Sequence, residues 1–211
     1  MIDKSVSKPR LSSEERKASI VQAAIRLFGE KGFSGTTTRE LASAVGVTEP
    51  VLYEHFKTKS DLYAAIIESC SGQGVDLLEA LAERYRDVDD DEGFFLELGE
   101  VVLKWYTEGS SFVRLLLFSN LEGHELKDLF FQRQSCRVID IVVNYIDRRM
   151  RQGAMREMNP DLAARVFMGM VCHYAQFAIL FSCGTLSLSN EEILRGMVSI
   201  FLTGTRQQGK Q

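Results

Sequence analysis

Between residues 37 and 59 the chain gathers groups suited to holding a polyanion. They are the hydroxyls of Thr37, Thr38, Thr48 and Tyr53, the imidazole of His55, and the cations Arg39, Lys57 and Lys59. Hydroxyl, guanidinium and ammonium groups donate to phosphate oxygens, and arginine also reads base edges. Helix starts expected at Thr38 and Thr48 add free backbone N–H groups, which attract anions. The chemistry implied is contact with nucleic acid. Catalysis is not implied. His124-Glu125 has no second histidine four residues on, and neither G-x-S-x-G nor a phosphate-cradling glycine loop occurs. The chain is therefore not expected to be an enzyme or to need a cofactor. Cys70, Cys136, Cys172 and Cys183 are scattered without a C-x-x-C pair, so they are expected to be reduced core residues rather than metal ligands.

The 211 residues carry a net charge of -4. That excludes a sequence-blind coat on nucleic acid, which needs a large basic excess. The charge is uneven: Met1 to Tyr63 holds 10 Lys and Arg against 8 Asp and Glu, a balance of +2, and the remainder carries -6. Screening confines each charge to about 8 Å at physiological salt, so a mildly basic head on an acidic body still attracts phosphate locally. Met1 to Leu11 is polar and basic, with no apolar stretch of the secretory kind, and a cytoplasmic protein with a short arm is expected. Val166 to Cys183 is the most apolar run, but it contains His173 and Gln176 and reads as a buried or interface helix rather than a membrane span.

No segment alternates with period two; helical spacing runs throughout, so the fold class expected is all-α. Ser12 with Glu15 forms a capping box, and Ile20, Ala24, Leu27 and Phe28 build one apolar stripe, with Gly32 ending the helix in the left-handed conformation and Phe33 folding back onto the core. Thr37 with Glu40 opens a second, short helix. Thr48 and Pro50 open a third, and Thr58 with Asp61 opens a fourth from about Lys59. Longer helices follow over Asp91 to Glu108, Ser110 to Leu121, His124 to about Gln152, Asn159 to Ser182 and Ser189 to about Thr205.

Arg39 to Phe56, RELASAVGVTEPVLYEHF, has the requirements of two short helices crossing at a tight turn. Ala42 is small where the helices cross, Gly46 tolerates positive φ, and Leu41, Val45, Val47 and Leu52 can lock the pair. A core hairpin shares this apolar spacing, but not the polar set around its second helix. In a helix-turn-helix that second helix lies in the major groove.

The segment AAIRLFGEKGFSGTTTRELASAVGVTEPVLYEHFKTKSDLYAAII resembles the DNA-binding head of the TetR family of transcriptional regulators, over roughly residues 14–67. The resemblance implies a three-helix head over residues 1–58 and a helical regulatory and dimerisation domain over 59–211. It implies phosphate contacts from Thr37, Thr38 and Lys59, and phosphate or base contacts from Arg39, Tyr53 and His55. Base readout is expected from Thr48, Glu49, Pro50 and Val51 at the leading end of the recognition helix. Pro50 departs from the glycine frequent in the family and narrows the approach of the backbone to a base.

Helix-turn-helix proteins usually read two half-sites as dimers, and the last two helices are apolar enough to pair, with Gly169, Ala175 and Gly196 permitting close approach. Between the middle helices Trp105, Tyr106, Phe112, Phe118, Phe130, His173, Tyr174 and Phe177 either line an aromatic cavity or simply fill the core. The resemblance implies a homodimeric repressor on a palindromic operator, released by a small apolar or aromatic effector through the fourth helix. The competing reading is a small-molecule-binding helical protein that no longer binds DNA; the intact polar set around the third helix argues against it.

Overall fold

The computed structural model describes residues 12–121, 136–184 and 186–206, without the side chains of residues 70–74, 120 and 136. The expected long helix from His124 is therefore seen from Cys136 onward, and Phe130 lies outside the described residues. The described chain is helical, with one isolated bridge between Met155 and Arg206.

The head comprises α1 (Ser13–Lys31), α2 (Thr38–Ala44) and α3 (Glu49–His55), followed by α4 (Lys59–Arg84). Local capping defines most of these starts. Ser12, Thr37 and Thr58 each accept from the backbone N–H three residues on, and Glu15, Glu40 and Asp61 return the bond. Thr48 differs: α3 starts there without a side-chain cap bond, and its hydroxyl is left toward solvent. Gly32 has the positive φ expected, 75°, but ψ is 171°, so the chain leaves α1 extended rather than left-handed. That extension swings Phe33 back against Phe28 and Tyr63, with ring centroids 5.5 and 5.7 Å away.

Ile20, Ala24, Phe28, Leu41, Leu52 and Phe56 form the head core together with Leu62, Tyr63 and Ile66 from α4. One further member, Leu115, comes from α6 (Ser110–Leu121), which lies along α1.

The body comprises α5 (Asp91–Glu108), α6, α7 (Cys136–Arg151), α8 (Pro160–Ala175) and α9 (Asn190–Thr205). Phe94, Phe95, Leu98, Tyr145, Phe167 and Phe201 make its aromatic centre. A polar clamp closes its far end. Arg149, nearly buried, donates to Asp91 at 2.7 Å and to Gln152 at 2.8 Å, and also pairs with Asp89; the Tyr145 hydroxyl donates to the same Asp91 oxygen at 2.9 Å. Burial pushes the Tyr145 phenol up and keeps it protonated as that donor.

α8 begins as its Asn-Pro-Asp sequence predicts, with Asn159 accepting from Leu162 N–H. It does not run unbroken to Ser182. After Ala175 the helix widens into one π turn, Gln176–Leu180, closed by Phe181 N–H donating to the Gln176 carbonyl at 3.1 Å. Ser182 then takes φ 52°, a left-handed position for a non-glycine residue. Pro160–Leu180 is long and apolar enough to cross a membrane by composition alone, yet Ala164, Phe167, Val171 and Ala175 are packed inside the body. Ala175 thus serves its own core, not a partner.

Candidate DNA-binding site

The α2–α3 unit has the geometry of a helix-turn-helix. Ala42 is buried at the crossing, Gly46 has φ 69°, and Val47 N–H donates to the Ala42 carbonyl at 2.9 Å. A Cβ at residue 46 would meet nothing within 4 Å, so the glycine is required by its backbone angle and not by space. Leu41, Leu52 and Phe56 are buried beneath, with Val45 and Val47 packed against them.

Several expected phosphate donors are already engaged within the head. The Thr37 hydroxyl donates to Glu40 at 2.9 Å and accepts from Glu40 N–H. The Thr38 hydroxyl donates to the Glu49 carboxylate at 2.7 Å, tying the start of α2 to the start of α3. A hydroxyl has one proton to give, and the Thr37 N–H is also donated, to Glu40 at 2.9 Å, so in this arrangement Thr38 can offer DNA its backbone N–H and Thr37 neither of its protons. The Lys59 ammonium reaches the Phe33 carbonyl and stands 4.1 Å from the centroid of the Phe33 ring. It pins α4 to the extended turn after α1. Glu40 is held down at about 2 by its bond from Lys31 and then by Thr37 N–H, so it is ionised in this role.

The remaining candidates face outward. Arg39, Thr48 and Pro50 are exposed, Tyr53 is 44% exposed, and Glu49, Val51 and His55 are half-buried along α3. Lys57 follows directly and is exposed as well. Thr38, Tyr53 and Lys59 share a dimple of about 10 Å³ beside Leu41 and Phe56, too small for a ligand.

The aromatic residues of the body do not converge. Trp105 packs on the body core, whereas Phe112 packs on the head core. Tyr106 bonds Cys172, and burial raises both groups. The Tyr174 hydroxyl bonds Asn190 at 3.1 Å. Phe118 is half-buried on α6. His173 at the end of α8 and Phe177 in the π turn lie together and exposed, ring centroids 4.6 Å apart. A groove of about 340 Å³ runs between α5 and α9, lined by Glu100, Leu103, Lys104, Thr107, Asn190 and Leu194 among others, none of them from that aromatic set. Cys183 is exposed, against the expectation of a core thiol, and no group of metal-ligating residues occurs among the described residues.

Residues 20–66 match the family model described as bacterial regulatory proteins, tetR family, and residues 103–204 match that of the AefR-like transcriptional repressor, C-terminal domain. The chain belongs to the TetR family. It is an all-α helix-turn-helix regulatory protein. Among its relatives is the uncharacterized HTH-type transcriptional regulator YerO of Bacillus subtilis (strain 168), 30% identical over 120 residues; the match spans 56% of this chain and 41% of YerO. The chain thus spans less than half the length of that relative.

The structure of a TetR-family transcriptional regulator from Mesorhizobium loti superposes with a TM-score of 0.72 at 20% identity, over 93% of this chain and 100% of that one. AibR, solved in complex with isovaleryl coenzyme A and operator DNA, gives a TM-score of 0.66 at 26% identity, over 88% and 97% of the two chains.

Proposed function

We infer that this TetR-family chain is a homodimeric transcriptional repressor that grips a palindromic operator with two heads. The observation that carries this reading is the outward row on and beside α3. Arg39, Thr48, Pro50 and Tyr53 project from a helix pair locked by Ala42, Gly46 and Leu52, where a buried hairpin would have apolar groups. In this reading Arg39, Tyr53, His55 and Lys57 bind phosphate or base edges, and Thr48, Glu49, Pro50 and Val51 face the bases. Thr38 contributes its backbone N–H, Thr37 acts by capping α2 against Glu40, and Lys59 acts by holding the head in shape. Residues 1–58 carry DNA contact, residues 59–211 carry regulation, and α4 belongs to both cores.

The second head comes from a second copy. Leu162 and Val166 on α8, Phe177 and Phe181 in and after the π turn, and Ile200, 71% exposed, on α9 form an apolar outer face, interrupted by the exposed Gly169 and Gly196. Such a face favours burial against an equal one. The release signal in this reading is a small apolar or aromatic molecule, as the family resemblance implies; that a helical body of this fold can hold an effector is supported by AibR, solved with isovaleryl coenzyme A bound. Trp105, Tyr106 and Phe118 are the half-buried aromatic candidates for contact with it. The protein works in the cytoplasm, where operator and effector meet.

Selection from random duplex DNA with the full chain at near-physiological salt tests the reading. Recovery of a palindrome, with two copies of the chain per site by analytical ultracentrifugation, is the expected result. Failure to enrich any sequence, repeated after denaturing and refolding to strip a bound effector, overturns it.

A further inference from the structure

Glu49 is an acid at the leading end of the helix that, in the reading above, enters the major groove. A carboxylate there is repelled by every phosphate and can only accept hydrogen bonds. Its surroundings are specific. One oxygen, Oε2, accepts from the Thr38 hydroxyl at 2.7 Å. No ion pair involves Glu49 among the described residues. Pro50, next in the chain, stiffens the first turn and gives no N–H. The residue is half-buried, and beyond the bond to Thr38 its carboxylate keeps acceptor positions open, Oε1 foremost.

Major-groove base edges offer two kinds of hydrogen to such an acceptor: the exocyclic amino group of cytosine and that of adenine. Adenine carries the N7 acceptor beside its amino group, and a negative oxygen approaching there meets repulsion. An amide side chain would satisfy both atoms, but a carboxylate, which has no proton to give, cannot. Cytosine presents its amino group without a neighbouring acceptor on the same base.

We propose that Glu49, positioned by Thr38, is a specificity-determining residue that selects cytosine at one symmetric position of each operator half-site. This rests on the DNA-binding reading above and adds to it the identity of a base and the residue that orients its reader. Thr38 is a positioning residue here, its hydroxyl turned to Glu49 and not to a phosphate.

The test compares random-duplex selections and operator affinities for the wild-type chain and for Glu49→Gln, Glu49→Ala, Thr38→Val and Thr38→Ser, each first checked for unchanged melting and helical content. The wild type is expected to fix cytosine at one position per half-site. Discrimination there over thymine is roughly fivefold, the low end for a base contact because a single acceptor is used. Glu49→Ala makes that position degenerate while the rest of the site is retained. Glu49→Gln moves the preference toward adenine. Thr38→Val relaxes the cytosine preference and leaves the salt dependence of binding unchanged, and Thr38→Ser restores the preference.

A wild-type motif in which no position responds to Glu49, or one in which the responsive base is adenine, overturns the assignment while leaving the DNA-binding reading intact. A flatter salt dependence in Thr38→Val returns Thr38 to the phosphate backbone and also overturns it. Absence of any motif from the wild-type selection overturns both readings together.

Discussion

Gly29 on α1 and Ser111 on α6 meet backbone to backbone: a methyl on residue 29 would lie 2.4 Å from the Ser111 carbonyl oxygen and 3.1 Å from its carbonyl carbon. An alanine in a helix is ordinarily worth about 0.5–1 kcal/mol more than a glycine. Gly29→Ala is expected to do the opposite, lowering stability by about 1–3 kcal/mol because a main-chain atom blocks it. Thermal melting gives the sign. Operator affinity is expected to fall as well, because α1 can relieve the clash only by tilting away from α6.

The polar clamp at the other end of the body gives a second expectation. Arg149 and Asp91 have side chains only 7% and 10% exposed. Arg149→Met leaves a buried carboxylate without its cation and is expected to destabilise the fold by about 3–5 kcal/mol. Adding Asp91→Asn removes the stranded charge and recovers part of that loss. Chemical denaturation of the two single variants and the double variant measures the coupling, and simple additivity would contradict it.

Lys57 and Lys59 are two residues apart and are expected to behave differently. Lys57 is exposed, so Lys57→Ala should flatten the slope of log affinity against log salt by about 0.9 per phosphate contact in each subunit. Lys59→Met removes the link to the Phe33 carbonyl and ring, lowers the melting temperature of the head, and leaves that slope unchanged. Affinity titrations at several salt concentrations separate the two residues, and equal slopes for both variants would refute the distinction.

The capping box of α2 sets an acid limit. Lys31 first, and then the Thr37 N–H, hold the Glu40 carboxyl down at about 2 from its ordinary 4.5. A carboxyl depressed by folding stabilises the native state fully above its ordinary value, and the contribution disappears as pH falls toward the folded value. The effect is small because Glu40 lies at the surface, where solvent and salt screen it. Stability curves of wild type and Glu40→Gln should therefore converge between pH 4.5 and about 2, read by urea denaturation at a series of pH values.

The features legible in the sequence are those written within four residues of themselves. Ser12 with Glu15, Thr37 with Glu40, and Thr58 with Asp61 announce three helix starts because cap and partner are local. Gly46 announces the turn because positive φ is a property of one residue. Thr48 misled only in detail, since α3 starts there without its side-chain bond.

What the sequence hid depends on distant partners. Thr38 finds Glu49 eleven positions on, and Lys59 turns back 26 positions to Phe33. Their side chains are those of ordinary surface donors until the fold gives them acceptors. The π turn at Gln176–Leu180 has no local signal either; its last carbonyl accepts from Arg114 on α6 at 2.8 Å. The aromatic set failed to gather for a related reason. Helical spacing places Phe112 and Phe177 each on a face of its own helix, and tertiary packing then sends one to the head core and the other to the surface.

Leu115 is fully buried in the head core although it belongs to α6. Anyone grafting this head onto a foreign sensor, or this sensor onto a foreign head, inherits that graft line. A splice at residue 58 separates the reader of DNA from the leucine that plugs it, and the hybrid starts life with a hole. A working chimera must keep Leu62, Tyr63 and Ile66 of α4 with the head, and must also carry α6 across with α1 or re-choose residue 115 to suit its new neighbour.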